Sequence, residues 1–77
     1  MTQGERIREV RKTLGLTLEK FGEKIGMKKN SVSQIENGKN SVTEQVVKSI
    51  CREFNVDYIW LTTGDGEMLS LIHISEP

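Results

Sequence analysis

Seventy-seven residues suffice for one small domain with one modest core, and not for two cores or a deep enzymatic cleft. Hydrophobic residues make up 35% and charged residues 29%, a globular pattern that excludes a disordered tail, and no run approaches the ~20 apolar residues of a transmembrane helix. A single Cys51 and a single His73 exclude an internal disulfide framework and a Cys/His metal cluster; a reducing cytosol is the expected compartment. The net charge is zero but unevenly spread. Residues 1–40 carry nine Lys or Arg against five Asp or Glu; residues 41–77 carry two against six. Such a dipolar chain is compatible with a polyanion facing its first half, and equally with an ordinary solvated surface.

The spacing predicts a row of short helices. Thr2-Gln3-Gly4-Glu5 has the form of a capping box, and Ile7, Val10 and Leu14 follow at helical spacing among Arg6, Arg8, Arg11 and Lys12. Gly15 suits the left-handed stop, with Leu16 as its apolar partner. Thr17 caps a second helix with Leu18, Phe21 and Ile25 on one face, ended by Gly26. A third runs from about Lys28 to Asn37, with Val32 and Ile35 inward and Gly38 as its stop. Thr43 caps a fourth, lined by Val47, Ile50, Cys51 and Phe54 and stopped by Asn55. Asp57 caps a fifth that carries Ile59, Trp60 and Leu61 and ends at Gly64. Residues 69–77 pattern more like a strand than a helix.

Helices two and three meet at a turn of about three residues around Gly26, and Gly22, one turn earlier, leaves room for a steep close crossing. With Val32 and Ile35 inward, helix three presents Lys28, Lys29, Asn30, Ser33, Gln34 and Asn37 outward. Asn and Gln suit the adenine edge in a major groove and Lys suits guanine; a ten-residue helix of about 15 Å fits that groove. Glu36 is expected to pair within the domain, Cys51 to be a small buried hydrophobe, and Trp60 to be core.

On these residues the chain resembles the Cro/CI-type helix-turn-helix proteins, the Xre family of bacterial and phage regulators. The resemblance is carried by Gly22, Gly26, Val32 and Ile35, by Arg6-Ile7-Arg8 and Leu14-Gly15-Leu16-Thr17, by Ser33-Gln34-Ile35-Glu36-Asn37-Gly38, and by Phe54-Asn55-Val56 with Trp60-Leu61-Thr62-Thr63-Gly64. It implies an all-α, five-helix, lambda-repressor-like domain over residues 1–66. It implies binding to operator DNA as a homodimer. Independently of it, the sequence offers no Ser/His/Asp set, metal cluster or Gly-rich phosphate loop, so neither an enzyme nor a cofactor is expected, and no membrane role. By position it assigns base reading to Lys28, Lys29, Asn30, Ser33 and Gln34, and phosphate contact to Arg11, Thr17, Asn37 and Lys39. The dimer contact is expected in Asn55, Val56, Asp57, Tyr58 and Ile59.

Three departures from the family pattern stand out. Leu18 replaces a frequent Gln, Lys28 replaces a Ser or Thr cap, and residues 69–77 match nothing in the family. The stretch 67–77 is expected to be a C-terminal tail, either non-native read-through or a short dimerising strand. The alternative function is an antitoxin, or another interaction module built on the same unit.

Overall fold

The computed structural model describes residues 2–68, so both alternatives for the tail beyond Met68 lie outside the described residues. Five helices follow in order: α1 Gln3–Thr13, α2 Leu18–Ile25, α3 Lys29–Glu36, α4 Glu44–Phe54 and α5 Tyr58–Thr63. The domain is all-α, as expected.

Local chemistry accounts for nearly every helix end. Thr2 Oγ1 accepts from the Glu5 amide at 3.1 Å while Glu5 Oε1 accepts from the Thr2 amide at 2.8 Å, closing the capping box. Thr17, Thr43 and Asp57 each accept from the amide three residues on. At the end of α1, Gly15 (φ +70°) donates to Lys12 O and Leu16 to Arg11 O, both at 3.0 Å, a complete Schellman motif. Asn55 takes the left-handed stop of α4 at φ +58°.

The core is Ile7, Val10, Phe21, Val32, Ile35, Val47, Ile50, Val56 and Leu61, drawn from all five helices and the α4–α5 junction. Phe21 and Phe54 stack with centroids 4.8 Å apart, tying α2 to α4. Two contacts are too close for a side chain. A Cβ at Gly22 would lie 2.3 Å from the Met27 carbonyl oxygen, and one at Gly4 would lie 2.3 Å from that of Ile35. Gly22 thus lets the turn fold down onto α2, as its place in the sequence predicts. Gly4 does the same for α1 against α3, which spacing alone does not reveal. Gly26 differs: a Cβ there meets open space, and its φ of +76° is what calls for glycine.

Several expectations are corrected. Trp60 and Cys51 are only partly buried, packed on the rim of the core. Burial, reinforced by the Asp57 and Glu44 carboxylates, raises the Cys51 thiol above its ordinary range, which disfavours the thiolate. After α5, the Asp57 amide donates to Met68 O at 2.8 Å, and Met68 packs against the core. Arg6, at 9% exposure, crosses to the far end of the chain, donating through Nε to Leu61 O at 2.9 Å and through Nη2 to Thr62 O at 3.2 Å. It satisfies carbonyls at the end of α5 that have no partner within the helix.

Candidate nucleic-acid interface

Helix α3 is two residues shorter than the predicted Lys28–Asn37, because both ends serve as caps. Val32 and Ile35 hold its inner face in the core. Its outer face carries Lys29, Asn30 and Gln34, all exposed, with Ser33 partly buried; Lys28 before it and Asn37 and Lys39 after it are exposed too. The structure therefore gathers every predicted base-reading residue on or beside one short helix. The Asn37 amide donates to Ser33 Oγ at 3.4 Å, along the same helix.

The one acid of α3, Glu36, is turned away from this face. Its carboxylate accepts from Arg11 Nε at 2.8 Å and Nη2 at 3.2 Å, while Arg11 Nη1 donates to Leu16 O at 3.1 Å. This fulfils the expectation for Glu36 and gives Arg11 a structural role inside the domain. With its side chain only 15% exposed and all three guanidinium nitrogens bonded inside the domain, three of the five N–H donors of Arg11 are spent on the domain's own contacts. Its role is to fasten α1, the α1–α2 turn and α3 together.

Thr17 is exposed at the start of α2, its hydroxyl oxygen occupied by the Lys20 amide. Two groups that the sequence did not bring to this region are the carboxylates of Glu19 and Glu23, which line a shallow depression with Met27, Lys28 and Lys29. A third is Asn40, whose Nδ2 donates to Gln34 Oε1 at 2.7 Å. All three follow from how α2 and the α3–α4 turn fold against α3, and no sequence motif signals them.

Lys28 provides no side-chain cap, so the first amides of α3 lack the oxygen partner that Thr17 and Thr43 give their helices. Two lysines at the positive end of a helix dipole are also electrostatically unfavourable. Lys28→Thr is accordingly expected to raise the stability by about 1 kcal/mol. Urea melts check this; a midpoint at or below the parent's would contradict the cap assignment.

Of the predicted dimer segment, Tyr58 and Ile59 are exposed, at 42% and 54%. Val56 is corrected: at 3% exposure it is core and presents no side chain to a partner. Asp57 is partly buried and uses its carboxylate to cap α5. The Tyr58 hydroxyl donates to Glu44 Oε2 at 2.8 Å, a bond that, with some burial and the nearby negative charge, raises the phenol above its ordinary range.

Two crossed short helices joined at a left-handed glycine, the second with an outward face of lysines and amides, define a helix-turn-helix DNA-binding unit. The comparisons agree. The helix-turn-helix family model matches residues 7–61. The antitoxin PezA of Streptococcus pneumoniae is 39% identical over 67 residues, which is 87% of this chain and 42% of that protein. The HTH-type transcriptional regulator for conjugative element R391 of Providencia rettgeri is 36% identical over 67 residues, covering 87% of this chain and 31% of that protein. The P22 c2 repressor crystallised with a synthetic operator superposes with a TM-score of 0.76 at 25% identity, covering 84% of this chain and 98% of that one. The chain belongs to the helix-turn-helix family of the Cro/CI (Xre) type, a family of DNA-binding transcriptional regulators. It spans less than half the length of the curated relatives it matches.

Proposed function

We propose that this domain is the operator-binding part of a cytoplasmic transcriptional repressor, acting as a homodimer with α3 in the major groove. The observation that carries this is the face of α3. Lys28, Lys29, Asn30 and Gln34 stand together in solvent, while the helix's one acid is held inward by Arg11. Lys12, Lys39, Thr17 and Asn37 supply the backbone contacts, and Arg11 supports them from within. One such helix spans only a few base pairs, so a two-fold pair is needed to single out a site. Tyr58 and Ile59 offer the apolar surface for that pairing. The repressor role is supported by the likeness to the P22 c2 repressor.

Selection of bound duplexes from a random pool tests the proposal. The expected site is an inverted repeat with half-site centres about 34 Å apart. A site without inverted symmetry would remove the homodimer. On the selected site, Gln34→Ala is expected to cost about 1–3 kcal/mol, and far less on a scrambled duplex at the same salt, with the melting temperature unchanged. Equal losses on both duplexes would reassign Gln34 to phosphate. Lys28→Thr, more stable, is expected to bind all duplexes less tightly.

The likeness to the antitoxin PezA favours a second reading, in which the same unit also serves a protein partner. No loss with Gln34→Ala on either duplex would put that interaction role first.

A further inference from the structure

The turn that closes α3 folds back over the helix's own outer face. Past Gly38, at φ +79°, the Lys39 amide donates to Gln34 O at 2.9 Å and the Asn40 amide to the same oxygen at 3.3 Å. This brings the Asn40 side chain to Gln34, where its Nδ2 donates to Oε1 at 2.7 Å. Gln34 is thus held by one turn at both its main chain and its side-chain amide.

That second contact changes what Gln34 offers a base. A glutamine amide with both ends free presents one acceptor and one donor, the match for adenine N6 and N7. With Oε1 drawn toward the turn and one of its two lone pairs taken by Asn40 Nδ2, the end of the amide turned to the groove is Nε2, which only donates. Guanine shows two acceptors, N7 and O6, on its major-groove edge. We infer that Asn40 is a positioning residue that fixes the Gln34 amide with Nε2 toward the bases, and so sets guanine over adenine at the pair Gln34 faces. The inference rests on the DNA-reading role of α3 proposed above. In the free domain the bond is exposed and weak. A duplex laid on α3 removes the competing water and strengthens it at the moment of recognition.

The test is site selection with the parent, Asn40→Ala and Asn40→Asp, with melting curves to verify folding. The base pair read by Gln34 is the one whose preference Gln34→Ala erases. The parent is expected to prefer guanine there. Asn40→Ala frees the amide, and the guanine-to-adenine ratio is expected to fall about tenfold. Asn40→Asp offers only an acceptor, so Gln34 turns Nε2 to the carboxylate and Oε1 to the groove. Preference then moves to a base with a donor, cytosine N4 or adenine N6. The added negative charge weakens binding to every sequence alike, and the ratio is unaffected by it. A parent preference for adenine, or Asn40 variants that leave the ratios unchanged, would overturn the inference while leaving the DNA-binding role intact. A folded parent that selects no sequence at all would overturn the proposed function itself.

Discussion

Replacing Arg11 with Ala is expected to destabilise the domain by about 3 kcal/mol or more. The change leaves the Glu36 carboxylate, 5% exposed, without its bidentate partner. It also strips Leu16 O of its guanidinium donor at the α1–α2 turn. A domain of this length is stable by only about 4–12 kcal/mol, so much of the folded population is at risk near physiological temperature. The pair is not thereby a net source of stability. Burying two charges costs nearly what their attraction returns, and the double variant Arg11→Met, Glu36→Leu is expected to recover most of the loss. Arg11→Lys keeps the charge but not the planar fork that reaches both Glu36 oxygens and Leu16 O, and is expected to fall in between. Urea midpoints for the parent, both single changes and the double give the coupling directly. An Arg11→Ala protein that melts with the parent would show that water replaces the clamp at no cost.

Gly22→Ala is the second large effect, and its sign runs against helix propensity. Inside a solvent-facing helix this exchange is worth about 1 kcal/mol of added stability. Here the new Cβ would stand 2.3 Å from Met27 O and 3.2 Å from a Val32 methyl. The first of these is backbone, fixed by the Met27 amide's own 2.7 Å bond to Gly22 O, and has no rotamer by which to move aside. The helix pair must separate instead, at an expected loss of about 3 kcal/mol. Gly26→Ala makes a useful contrast, since its Cβ meets nothing and only the positive φ opposes it, at about 1–2 kcal/mol. The order of the two midpoints is the measurement. A Gly22→Ala protein more stable than Gly26→Ala would mean that α2 and the turn are not held as closely as described. Because α3 leaves from that turn, a rearranged Gly22→Ala domain is also expected to lose sequence preference on DNA before it loses all affinity.

The helix boundaries and the helix-turn-helix itself were legible in the sequence. Thr2, Thr17, Thr43 and Asp57 start helices, and Gly15, Gly26, Asn55 and Gly64 stop them, through bonds that span at most five residues. The inward periodicity of Val32 and Ile35 likewise fixed which side of α3 faces solvent, and with it the set Lys28, Lys29, Asn30 and Gln34. What only the tertiary structure decided are the contacts made across the chain. An arginine on an amphipathic helix looks the same whether it reaches a phosphate or a carboxylate. Arg11 turns in to a partner 25 residues away, and Arg6 to one 55 away. Val56 looked like a junction residue open to a partner, and the packing of the α4–α5 junction buries it in the core. Gly4 and Asn40 carry no signal of their own, because the carbonyl that excludes a Cβ at one and the amide that meets the other become neighbours only after packing. Short-range hydrogen bonds are encoded within a turn of chain; the direction of a long charged or amide side chain is set by whichever partner the assembled core brings within about 3 Å.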